Sequence, residues 1–80
     1  MDKNYVINYT IYEETKKIYD EVLGNLSPTY IGKTNFGKQL NKALADWNYE
    51  AAYEFIQSVK EKRKNKSIED VLNEDWGLQN

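Results

Sequence analysis

Residues 43–56 read "ALADWNYEAAYEFI", and the fold turns on whether this stretch is one helix or two. On its upstream side Phe36, Leu40, Ala43, Leu44 and Trp47 recur at steps of three and four, the spacing that gathers apolar side chains on one face of an α-helix. On its downstream side Tyr49, Ala52, Tyr53, Ile56, Val59 and Arg63 form a second series of the same period, Arg63 through its aliphatic stem. Asn48 stands between them, a residue type whose side chain accepts from the free amides at a helix start. The stretch therefore predicts two helices, over about residues 35–47 and 49–64, folded against each other as an antiparallel hairpin.

The same reading extends outward. Upstream, Ile11, Thr15, Ile18, Val22 and Leu26, widened by Tyr12, Tyr19 and Leu23, make another apolar stripe. Thr10 and Glu13 have capping-box spacing, and Gly24 is placed for a left-handed C-cap, so a helix is predicted over about residues 11–23. "YVINY", residues 5–9, is β-branched and aromatic and reads as a short strand or extended arm. "NLSPTYIGKT", residues 25–34, contains the single proline and reads as a loop in which Tyr30 and Ile31 can lie extended. Downstream, Ser67 and Asp70 form a cap ahead of Ile68, Val71, Leu72 and Trp76, predicting a short fourth helix near residues 68–75 that Gly77 ends. The expected class is mainly α: one small three- to four-helix domain over residues 1–80, with a central antiparallel helical hairpin, the first helix over its apolar groove, and an extended N-terminal arm. If residues 5–9 pair with Tyr30 and Ile31, the class becomes α+β.

At residues 43–56 the small residue, the turn and the Tyr-Glu-x-Ala that opens the second helix resemble the helix–turn–helix corner of a tetratricopeptide repeat. The resemblance spans about one corner, without the ~34-residue recurrence of a solenoid, and Trp47 stands where that family has its turn glycine. It implies an antiparallel αα-hairpin and transfers no binding residues.

Composition narrows the function classes. Eighty residues support one small core. With no cysteine, packing alone must hold the chain together, and with no histidine it lacks the commonest general base and transition-metal ligand. A non-enzyme without metal or cofactor is expected. No segment approaches the roughly 18–20 apolar residues of a membrane span and the N-terminus has no signal-peptide pattern, so a cytoplasmic protein without membrane contact is expected. The abundance of Asn, Lys, Ile and Tyr fits an AT-rich coding source such as a low-GC bacterium or its phage. "GKTNFGKQ", residues 32–39, is one residue type away from a phosphate-cradling loop, but Gln39 stands where the magnesium-binding Ser or Thr belongs. It reads as a loop in which Thr34 caps the following helix.

Charge and aromatic content carry the functional expectation. Positive residues prevail from Lys33 to Lys66, whereas Glu69, Asp70, Glu74 and Asp75 make the segment at residues 67–80 acidic. That segment either packs back on the basic middle or docks into a basic groove of a partner, with Val71, Leu72 and Trp76 as anchors. Seven tyrosines and two tryptophans exceed what so small a core can hold, because each hydroxyl or indole N–H needs a partner or water. Tyr5, Tyr9, Tyr12, Tyr30 and Trp47 are therefore candidates for a protein-contact face. The expected function is a small protein-binding regulator or inhibitor that occupies a surface of a larger protein or complex. Size and composition fit a phage- or mobile-element-encoded inhibitor of a host nuclease or defence complex. One alternative is a weak nucleic-acid-binding regulator using Lys33, Lys38, Lys42, Lys60, Lys62, Arg63 and Lys64. Another is an antitoxin or immunity protein whose acidic tail, with Trp76, makes the contact. A homodimer paired through the edge of residues 5–9 stays open.

Overall fold

A computed structural model describes the backbone of residues 3–77 and the side chains of residues 10–77. Among the described residues five helices follow one another: α1 (Lys3–Leu23), α2 (Pro28–Lys33), α3 (Asn35–Ala45), α4 (Tyr49–Lys62) and α5 (Ile68–Leu72). No strand occurs among the described residues.

The three helix starts expected downstream of residue 34 are capped as the sequence implies. The Thr34 hydroxyl accepts from the Gly37 amide, the Asn48 carboxamide oxygen from Ala51, and the Ser67 hydroxyl from Asp70. α3 and α4 form the central hairpin and α1 packs along α4. The Tyr12 ring meets Tyr49 at the start of α4, while Glu21 and Val22 meet Lys60 and Arg63 at its end, so α1 and α4 run parallel. Because α1 lies on α4 and not midway over the hairpin, a groove stays open between α1 and α3.

Five expectations are corrected. The N-terminal arm is helical: residues 5–9, read as a strand or extended segment, belong to α1, and Thr10 and Glu13 lie inside that helix instead of capping it. A preference read over five residues expresses fit to a pleated surface, and no such surface exists here. Extending a helix already nucleated downstream adds one hydrogen bond for each residue fixed. The pairing with Tyr30 and Ile31, and with it the α+β alternative, fails because those residues lie in α2. Pro28 at the first turn of α2 supplies the fixed φ that a helix start accepts, so the proline opens a helix where a loop was expected. Gly24 is not left-handed; its amide continues the helical pattern to the Asp20 carbonyl.

The core gathers Ile18, Val22 and Leu23 of α1, Ile31 of α2, Phe36 and Leu40 of α3, Ile56 and Val59 of α4, and Val71 and Leu72 of α5. Full burial of a side chain such as Phe36 or Leu23 contributes about 1.5–3 kcal/mol. Among the described residues Thr15 and Thr34 are the buried polar residues, and each is satisfied by backbone: their hydroxyls donate to the carbonyls of Ile11 and Ile31, both at 2.7 Å. Gly37 is required where α3 meets α2, because a Cβ there would lie 1.7 Å from the Ile31 carbonyl oxygen.

Candidate protein-docking site

The corner between α3 and α4 is built from two backbone hydrogen bonds. The Trp47 amide donates to the Leu44 carbonyl at 3.1 Å and the Asn48 amide to the Ala43 carbonyl at 2.8 Å, the pair that defines a Schellman turn. That turn needs a left-handed residue after the cap Asp46, and Trp47 supplies it with φ of 57°. An L-residue in this region costs roughly 1–2 kcal/mol relative to right-handed backbone, which is why glycine is the usual occupant. The fold gains little burial in return, since the Trp47 side chain is 77% exposed.

Beside this strained tryptophan aromatic rings cluster. Its ring lies edge-on to Tyr49 at 6.3 Å, Tyr49 lies edge-on to Tyr12 at 5.2 Å, and the Lys16 ammonium sits 4.8 Å over the Tyr12 ring. Tyr12, Leu44 and Trp47 are the large hydrophobic residues most exposed among the described residues, and all three belong to this end of the molecule. Beside the Tyr12–Tyr49 pair opens the α1–α3 groove, about 220 Å³, with walls from Tyr12, Tyr19, Leu40, Leu44 and Tyr49 and with Ile56 beneath. Burial, reinforced by Asp20, pushes the Tyr19 hydroxyl above the ordinary tyrosine range, so at neutral pH it remains a donor. On the other side of the α1–α4 seam a second cleft of about 290 Å³ has Ile11 and Tyr53 as apolar lining and Glu14, Glu50 and Glu54 at its edge. Shape and lining suit apolar and hydrogen-bonding contact; among the described residues no cluster of acidic side chains is arranged to hold a metal ion.

The sequence-predicted candidates are dispersed. Tyr12 and Trp47 come together here. Tyr30 is half-buried against the core elsewhere, and the side chains of Tyr5 and Tyr9 lie outside the described residues. Trp76 turns inward, edge-on to Phe36 at 5.2 Å and to Phe55 at 6.1 Å, with its indole N–H donating to the Val71 carbonyl at 2.9 Å. The Gln39 carboxamide donates to the Trp76 carbonyl at 2.7 Å, and the Lys62 ammonium lies 4.7 Å over its ring. Glu74 pairs with Lys62 at 2.9 Å and with Lys66, and hydrogen bonds from these two lysines hold its carboxyl below the ordinary range. Glu69 and Asp70 are exposed in the first turn of α5, where they complement the helix dipole, and Asp75 accepts from the Gly77 amide. The acidic segment thus packs on its own chain.

The basic residues are distributed in the same way. Lys60 pairs with Glu21 at 2.8 Å and Lys64 with Glu61 at 3.3 Å, while the Arg63 guanidinium donates to the Val22 carbonyl. Lys33 ends α2, and Lys38 and Lys42 are exposed one turn apart on α3, away from that cluster's ion pairs. In residues 32–39 the Gly37 amide is taken by Thr34 and Gly37 itself serves the α2–α3 contact, so the stretch acts as a helix junction. Leu44, Tyr49, Glu50 and Glu54 were not among the sequence candidates. Leu44 carried only a core signal, because its place in the apolar stripe says nothing of α1 stopping short of it.

No protein-family description, curated protein or solved structure matches this chain.

Proposed function

We propose that this chain is a small non-enzymatic protein-binding regulator that occupies a surface of a larger protein, and that it does so through the aromatic corner formed by Tyr12, Leu44, Trp47 and Tyr49. One observation carries the reading: a tryptophan is held exposed at a backbone position whose geometry favours glycine. Non-glycine residues in strained conformations concentrate at functional sites, where the strain is retained for what the side chain does outside the fold. Tryptophan and tyrosine are also the side chains that most often anchor protein interfaces, since they bring large rigid apolar area with a polar handle. The acidic-tail alternative draws less support because Glu74 is held by Lys62 and Lys66, and the nucleic-acid alternative because Lys60, Lys62 and Lys64 are paired with carboxylates and Arg63 with the Val22 carbonyl, which leaves Lys33, Lys38 and Lys42 as its cations without an ion pair among the described residues.

The test places a photo-crosslinking amino acid with an aromatic side chain, which keeps a ring at the anchor position, at position 47 in the source cells, and in parallel at position 64 on the far end. The expected result is one dominant adduct from position 47 alone. The captured protein, purified, then binds the unmodified chain at defined stoichiometry, and Trp47→Ser weakens that binding about 30-fold, the effect of losing an anchor worth roughly 2 kcal/mol. Equal adducts from both positions, or unchanged affinity of Trp47→Ser, overturns the proposal.

A further inference from the structure

The corner's electrostatics point to the chemistry of what it binds, an inference that rests on the docking role of this corner. Lys16 and Lys17 at this end are occupied by Glu13 and Glu14, at 3.6 and 3.7 Å. Asp20 beside the α1–α3 groove, Asp46 at the turn, and Glu50 and Glu54 on α4 have no ion pair among the described residues. Glu50 and Glu54 are one turn apart on the same helix and repel each other. Lys60, Lys62, Lys64 and Lys66 at the opposite end are paired with other carboxylates, and Lys42, which makes no ion pair among the described residues, lines a shallow hollow with Asp46. The Tyr12–Tyr49 pair of the corner therefore lies between two clefts, and Glu50 and Glu54 on α4 beside it carry negative charge that no ion pair among the described residues neutralises.

We infer that the occupant of this corner is a cationic amphipathic segment of a partner protein, which places an apolar side chain in the groove between Tyr12, Leu44 and Tyr49 and lysine or arginine side chains toward Glu50 and Glu54. The two clefts divide the work. The α1–α3 groove is lined mainly by aromatic and aliphatic groups, with Thr15, Lys16 and Asp20 also in its wall, and takes the apolar element. The α1–α4 cleft runs over Ile11 and Tyr53 to Glu14, Glu50 and Glu54, which suits a long cationic side chain: its methylene stem lies along the apolar floor and its charged head reaches the carboxylates. An acidic partner segment meets the same geometry with like charge and is rejected.

The experiment uses the intact chain and two defined probes: a short amphipathic helical peptide of leucine and lysine, and the same peptide with glutamate in place of every lysine. Binding is followed by chemical-shift perturbation of the assigned amide spectrum. The leucine–lysine peptide is expected to give saturable shifts centred on Tyr12, Leu44, Trp47, Tyr49, Glu50 and Glu54, and the leucine–glutamate peptide none. Replacing Glu50 and Glu54 together by glutamine should weaken the first peptide about two- to thirtyfold, the range for losing two exposed ion pairs. Raising ionic strength to roughly 0.5 M should weaken it as well. Equal binding of both peptides at the corner refutes the cationic occupant while leaving the docking role standing. Absence of saturable shifts at the corner, or shifts spread equally over the acidic residues of α5, overturns the inference outright. The crosslinking result at position 47 separately decides whether the corner docks a protein at all.

Discussion

Replacing Trp47 by glycine and, separately, by alanine tests the strain at the α3–α4 corner. In helix interiors alanine is more stabilising than glycine by about 0.8–1 kcal/mol. At φ of 57° the order should invert, because alanine keeps the Cβ that the left-handed region disfavours and glycine removes it. Both variants lose the edge-on contact with Tyr49, about 0.5–1 kcal/mol at most for so exposed a ring, so that loss cancels in their comparison. Glycine adds freedom to the unfolded chain, which offsets part of the relief. Trp47→Gly should therefore exceed Trp47→Ala in stability by about 1 kcal/mol, roughly 6 °C in Tm for a chain of this length. Urea unfolding at neutral pH, followed by helical circular dichroism, measures the difference. Trp47→Gly should unfold at or slightly above the wild-type midpoint while failing to bind the captured partner, which would separate what this side chain does for binding from what it does for the fold. Alanine equal to or more stable than glycine would refute the claim of strain, and with it the observation on which the docking role rests.

Two further expectations follow from local geometry. The two glycines of residues 32–39 should behave oppositely: Gly37→Ala drives a methyl into the Ile31 carbonyl and should cost about 3 kcal/mol in urea unfolding, whereas Gly32→Ala enters open space on a helix and should be neutral or stabilising by about 0.5–1 kcal/mol. Similar effects of the two would contradict the close packing of α2 on α3. Glu74 is held below its ordinary pKa in the folded chain by hydrogen bonds from Lys66 and Lys62, so the stability it contributes is present above the unfolded value of 4.5 and is lost as pH falls through the folded value. Wild type should accordingly lose stability more steeply below pH 4.5 than Glu74→Gln, with the difference reduced by salt; parallel profiles of the two would show that the lysines do not hold that carboxylate.

Periodicity and caps were legible in the sequence because they are local. The apolar steps from Phe36 to Ala43 and from Ala52 to Val59 place buried side chains on single helix faces, and Thr34, Asn48 and Ser67 accept from amides only three positions away. Those features alone define two helices meeting at Asn48 and a short helix after Ser67. Where a segment's state depends on what lies beside it, local reading fails. Residues 5–9 have strand-like composition, yet with no strand to pair with they extend α1, and Pro28 starts a helix because Ile31 and Tyr30 find the core. Tyrosine content announced surplus aromatic surface without saying which rings would be left outside. Tertiary packing decided that: Trp76 is drawn onto Phe36 and Phe55, whereas α1 lies along α4 and leaves Tyr12 and Leu44 facing an open groove. A break at Asn48 was visible in the sequence, with Trp47 read as the end of the helix before it, whereas α3 stops at Ala45. That a tryptophan is held there left-handed and exposed beside Tyr49 follows from the two backbone hydrogen bonds that close α3, because they fix the handedness of the residue between the cap Asp46 and Asn48.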